Sequence, residues 1–143
     1  MAQLQRAATS ELDGAGIEPR LVRLLEIRAS QLNGCAYCID MHTKEARAIG
    51  ETEQRIYALS AWRETPFYTA RERAALAFAE SVTLLADTHV PDADVEAVAA
   101  EFSEREVAAL LTIIVTINAW NRIVATTRYY EPGSYQPQNP VQS

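Results

Sequence analysis

Cysteine is scarce in this chain: 143 residues contain two, Cys35 and Cys38. A scaffold held by several disulfides is therefore excluded, and any thiol chemistry must rest on that one pair. Positive charge is also short. Thirteen Lys and Arg stand against 19 Asp and Glu, giving a net charge of −6 and a pI near 4.9. That balance leaves no basic face for phosphates, so nucleic acid is not an expected partner.

Other signals are missing as well. The opening MAQLQRAATSELDGAG has no apolar centre flanked by basic residues, so no secretory signal is expected. The longest apolar run, VAALLTIIVTINAW at 107–120, is shorter than a bilayer span and is broken by threonines and Asn118. A buried helix in a cytoplasmic protein, without a membrane partner, is the expectation. No alternating strand pattern, hairpin turn or GxGxxG loop occurs. With 48% hydrophobic residues the chain can bury one real core, so a single all-α domain is expected.

The helices announce themselves by punctuation. Leu21, Leu24, Leu25, Ile27, Ala29 and Leu32 form a broad apolar face that starts near Pro19 and stops at Asn33-Gly34. A second helix is expected over 35–49, ending at Gly50, and a short third over 52–62. Thr69 and Glu72 have capping-box spacing ahead of a long helix ending near Ala86. Val90-Pro91-Asp92 opens a brief helix to Phe102. Ser103 and Glu106 form a second capping box before a last helix over 104–127. The organisation expected is an N-terminal extension at 1–18, a helical domain at 19–128 and a Pro-containing tail at 129–143, free or strapped onto a neighbouring subunit. The last helix is apolar on nearly all sides, which points to an oligomer.

The chemistry concentrates in SQLNGCAYCIDMHTKEAR, residues 30–47. On a helix beginning near Cys35, residues 35, 38 and 42 share one stripe. The two Cα atoms would lie roughly 5 Å apart, inside the disulfide range. Unpaired amides at the helix start favour a thiolate at Cys35, whereas His42 stands one turn from Cys38 and can take its proton. Three readings compete: a redox dithiol, a zinc site completed by His89 or Glu26, and two small core residues.

Among the other polar residues, Gln31 and Asn33 precede the thiols and are placed to orient backbone near them, Asn33 being equally explained as a helix C-cap, and Tyr37 reads as a surface or packing residue. Asn118, Trp120 and Asn121 interrupt an apolar helix and belong either to a pocket or to an interface. His89 reads as exposed, and Trp62, Phe67 and Tyr68 as core or interface aromatics.

The segments EIRASQLNGCAYCIDMHTKEAR, RIYALSAWRETPFYTARERAALAFAESVT and TINAWNRI together resemble the carboxymuconolactone decarboxylase superfamily, and within it the AhpD-like alkylhydroperoxidase branch. The resemblance covers 19–128. It implies an all-helical, trimeric or dimer-of-trimers enzyme that reduces alkyl hydroperoxides or hydrogen peroxide without cofactor or metal. Cys38 would attack the peroxide, Cys35 would resolve the sulfenic acid, His42 would serve the proton relay, and an external dithiol would reduce the disulfide. The branch's relay glutamate stands twelve residues before the first cysteine, where this chain has Arg23; Glu26 follows three residues later, as a displaced relay carboxylate or as a simple ion-pair partner of Arg23. Two other classes remain open on this scaffold: a non-enzymatic redox sensor or ligand-binding protein, and a lyase of the decarboxylase type.

Overall fold

The computed structural model describes residues 1–137, and these form eight α-helices with no strand among them. The order is α1 (Ala2–Ala15), α2 (Pro19–Asn33), α3 (Ala36–Ala48), α4 (Glu53–Ala58), α5 (Ala70–Thr83), α6 (Leu85–Thr88), α7 (Asp92–Glu101) and α8 (Glu104–Thr127). The all-α, single-domain expectation holds.

α2 is the centre of the bundle, packed against α3, α5 and α8. Its Leu24, Leu25 and Ile27 are fully buried with Leu76, Leu110, Ile113 and Ile114 from the flanking helices. α1, within the expected N-terminal extension, packs along α8 through Ala8 and Leu12. Both capping boxes form: Thr69 with Glu72 opens α5, and Ser103 with Glu106 opens α8.

Three boundaries depart from the sequence expectation. The helix expected to end near Ala86 breaks at Leu84, because the Thr88 hydroxyl donates to the Ser81 carbonyl at 2.7 Å and the next turn is wound separately as α6. The helix expected over 52–62 is α4 followed by a 3-10 turn, Leu59–Glu64, which sinks Trp62 into the core where its indole N–H donates to Glu80 at 2.9 Å. The tail runs back over its own α3: Lys44 Nζ donates to the Tyr135 carbonyl at 2.9 Å, the Gly133 amide donates to Asp40 at 3.1 Å, and Tyr130 stacks on Tyr37. The strap is intramolecular through residue 137; the rest of the expected tail, 138–143, lies outside the described residues.

By length and composition α8 could cross a membrane, yet 44% of its apolar window is buried within the chain, against α1, α2 and α5. Its outward face carries Leu111, Val115 and Ile123, all exposed. The described residues supply only one side of this helix with a partner.

Candidate active site

The α2–α3 junction sets the thiols. Gly34 takes the left-handed conformation at φ 67°, which closes α2 without a Cβ penalty, and the amides of Gly34 and Cys35 donate to the carbonyls of Gln31 (3.3 Å) and Ser30 (3.0 Å). The chain is thereby turned so that Cys35 becomes the N-cap of α3, at φ −85° and ψ 93°, one residue before the helix expected to start there. Cys38 then falls in the first turn. The Cα atoms stand 5.3 Å apart and the two residues are joined by a disulfide. Cys35 and Cys38 are 1% and 2% exposed, in a small cluster with Val124, Tyr37 and Trp120.

His42, 5% exposed, follows one turn after Cys38. Its Nδ1 lies 3.0 Å from Glu45 Oε2 and 3.4 Å from Glu26 Oε2. Arg23 joins both carboxylates, pairing with Glu26 and standing 3.0 Å from Glu45. From the strap, the Tyr135 hydroxyl donates to Glu45 Oε1 at 2.8 Å. Burial pushes the Glu45 pKa up, but hydrogen bonds from His42 and Tyr135 and the charge of Arg23 outweigh it, leaving that carboxyl below its ordinary value. Burial and Glu45 push the Tyr135 phenol up to about 12, so it remains a donor.

These contacts assign the ring protons. An ionised carboxylate only accepts, so the proton shared with Glu45 sits on His42 Nδ1, and in the neutral ring Nε2 carries the lone pair. That Nε2 is buried and has no hydrogen-bond partner among the described residues. A free acceptor nitrogen beside Cys38 is what a thiol proton would occupy once the disulfide is reduced. Cys38 and His42 border one cavity of about 290 Å³, with Arg23, Glu26, Glu45 and Trp120 among its walls.

Glu26 pairs with Arg23, and its Oε2 also stands 3.4 Å from His42 Nδ1. Glu45 was not singled out in the sequence, although it sits three residues after His42 on the same helix, a spacing that makes side chains neighbours. Tyr135 had no signal beyond its place in a Pro-containing tail. Of the residues interrupting α8, only Trp120 reaches the cavity; its indole N–H donates to Gln5 of α1 at 3.0 Å. Asn33 donates to Asn118 (3.0 Å) and Asn121 (2.9 Å), and Asn121 donates to Ser30 (3.0 Å). Those amides tie α8 to the end of α2, just below the thiols. Gln31 accepts from Arg28 and takes no part in the cavity. Trp62 and Tyr68 are core residues with Phe67 packed against them, and His89 is exposed.

Glu26, His42 and Glu45 also present ligand atoms within 4.8 Å of one another, a spacing a metal ion could use. The Arg23 guanidinium already pairs with both carboxylates there, so the donor set fits a buried ion-pair network better than a cation site.

Comparisons with known proteins agree with the fold. The sequence profile of the carboxymuconolactone decarboxylase family matches residues 1–81. The uncharacterized protein YdfG of Bacillus subtilis is 52% identical over 100 residues, spanning 70% of this chain and 68% of that protein. The crystal structure of an Agrobacterium tumefaciens protein of unknown function, provisionally described as the antioxidant defence protein AhpD, superposes with a TM-score of 0.82 at 42% identity, over 89% of this chain and 87% of that one. The debrominase Bmp8 shares the fold, with a TM-score of 0.74 at 24% identity over 82% of this chain and 62% of its own. The matched profile spans more than half the chain and includes both cysteines and His42: the chain belongs to the carboxymuconolactone decarboxylase family, in its AhpD-like branch.

Proposed function

We propose that the protein is a thiol peroxidase acting on small organic hydroperoxides or hydrogen peroxide. The observation that carries this reading is the bonded Cys35–Cys38 pair beside a histidine whose buried Nε2 lacks a partner among the described residues. In the reduced protein His42 takes the Cys38 proton, and the thiolate attacks the peroxide O–O bond. One oxygen stays as a sulfenic acid on Cys38, and the other departs as alcohol or water after gaining a proton. The Cys35 thiol then displaces hydroxide from that sulfenic acid, closing the disulfide and releasing water. An external dithiol returns two electrons. Glu45 and Glu26 hold the imidazole in the tautomer the first step needs. Against its burial, hydrogen bonds from His42 and Tyr135 with the charge of Arg23 hold the Glu45 carboxyl below its ordinary value.

The cavity of about 290 Å³ has room for a small peroxide, and Ile117, Val124 and Trp120 give it an apolar side for an alkyl group. Such a cycle calls for a reducing compartment, the cytoplasm. We assign the exposed Leu111, Val115 and Ile123 face of α8 to contact between copies, in a trimer or dimer of trimers. One observation favours the sensor reading: both sulfurs are almost fully covered, which slows exchange with any partner. Peroxide consumption separates the two. Repeated turnover in the presence of a dithiol supports the peroxidase, whereas a single stoichiometric oxidation supports the sensor.

A further inference from the structure

The disulfide is divided between two cavities. Cys38 borders the one that holds His42, and Cys35 does not. Cys35 borders a second, wider groove of about 630 Å³, and neither Cys38 nor His42 lines it. This groove lies between the start of α3, the C-terminal end of α8 and the first turn of the strap, with Gly34, Ala36, Ala125, Arg128 and Tyr129 along it. Tyr37, Val124 and Tyr130 belong to both linings and form the partition. Tyr130 is held in that partition by stacking on Tyr37, ring centroids 4.9 Å apart.

We propose that the second groove is the entry for the reducing thiol, and that a small dithiol attacks Cys35 there while peroxide meets Cys38 on the other side. The inference rests on the peroxidase reading for the oxidant alone; the reductive step stands on its own. Thiol–disulfide exchange runs in line, with the attacking sulfur opposite the leaving one, so the choice of sulfur is a question of approach. An attacker on Cys35 comes from the side of Cys35 remote from Cys38, and the groove borders Cys35 alone.

The leaving group agrees. Attack on Cys35 breaks the Cys35–Cys38 bond and sends its electron pair to Cys38, one turn from His42. The His42 Nε2 takes up a proton as the attacking thiol sheds one and, as imidazolium, stabilises the departing thiolate. The donor's second thiol then attacks its own sulfur in the mixed disulfide and frees Cys35. In sum the dithiol gives up two electrons and two protons, and the cysteine pair takes them. Because the two sulfurs are 1% and 2% exposed, a small donor fits this route where a rigid protein surface would not. The partition keeps peroxide and reductant apart, so the reductant does not compete for the cavity that activates Cys38.

The test uses dithiothreitol on the oxidised protein, with acid quench, alkylation and mass spectrometry, beside hydrogen peroxide oxidation of the reduced protein. Ala125 is exposed and lines only the Cys35 groove. Ala125→Trp is expected to slow reduction on the order of tenfold by blocking access, and to leave peroxide oxidation at the wild-type rate. Met41→Trp, which narrows the Cys38 cavity, is expected to do the reverse. The smaller Ala125→Leu gives a graded effect should the tryptophan variant not fold. Unchanged reduction in a folded Ala125→Trp, or equal slowing of both steps, overturns the proposal. If the wild type shows no peroxide turnover, the peroxidase reading fails, while the dithiothreitol arm still decides the groove.

Discussion

The Tyr135 hydroxyl donates to the Glu45 carboxylate at 2.8 Å across a sequence separation of 90 residues, bringing the end of the described chain to the residue that orients His42. This bond makes the strap part of the site. In Tyr135→Phe the strap loses an anchor worth about 1 kcal/mol, so its open form should rise roughly fivefold. Trypsin cleavage at Arg128 should accelerate by that factor while the bundle stays intact. An unchanged cleavage rate would show that the bond holds nothing.

The two carboxylates on His42 are not equivalent. Glu45 is at hydrogen-bond distance from Nδ1, whereas Glu26 is at 3.4 Å and is engaged with Arg23. Glu45→Gln should therefore lower the rate of Cys38 oxidation by about tenfold or more, and Glu26→Gln by less, since general-base catalysis depends on the ring's tautomer. Single-turnover oxidation of the reduced variants gives the order. The opposite order would return the orienting role to Glu26.

Glu80 ties three elements together, accepting from Arg28 at 2.6 Å, from Trp62 at 2.9 Å, and pairing with Arg63. Burial raises its pKa, but the bonds from Arg63, Trp62 and Arg28 outweigh that and leave it below the ordinary 4.5. A depressed folded pKa gives stability that is present above the unfolded value and lost as pH falls through the folded one. Urea midpoints should therefore drop as pH is lowered below about 4.5, and the drop should be shallower in Glu80→Gln. Equal slopes in the two proteins would remove Glu80 from the acid response.

Asn121 is 1% exposed and bonds both Asn33 and Ser30. Asn121→Leu removes one hydrogen bond from each partner, while Asn33 keeps its bond to Asn118 and Ser30 its bond to the Glu26 carbonyl, so it should cost about 1–3 kcal/mol in urea unfolding. A neutral result would show that Asn33 and Ser30 find other partners. The α8 face is checked by light scattering, where a trimeric or hexameric mass is expected and Val115→Glu should lower it. A monomeric wild type would leave that face without a second copy.

Much of this fold was legible because local chemistry and packing agree. Proline at the start of α2, Gly34 after its end and two capping boxes mark real boundaries. The breaks at Leu84 and Leu59 were not legible, because they follow from where Thr88 and Trp62 find partners in three dimensions. The cysteine pair and His42 could be read from spacing along one helix. Glu45 could have been, by the same i, i+3 rule. Tyr135 could not: it is ninety residues from Glu45, and only the return path of the strap joins them.

The central claim is that Cys38 meets the peroxide and Cys35 resolves. Stopped-flow oxidation of Cys35→Ser and Cys38→Ser, with mass spectrometry for sulfenic acid, tests it most directly. The account predicts that Cys35→Ser reacts at near the wild-type rate and accumulates a sulfenic acid on Cys38, while Cys38→Ser is inert. A sulfenic acid that instead builds up on Cys35 in Cys38→Ser would contradict it.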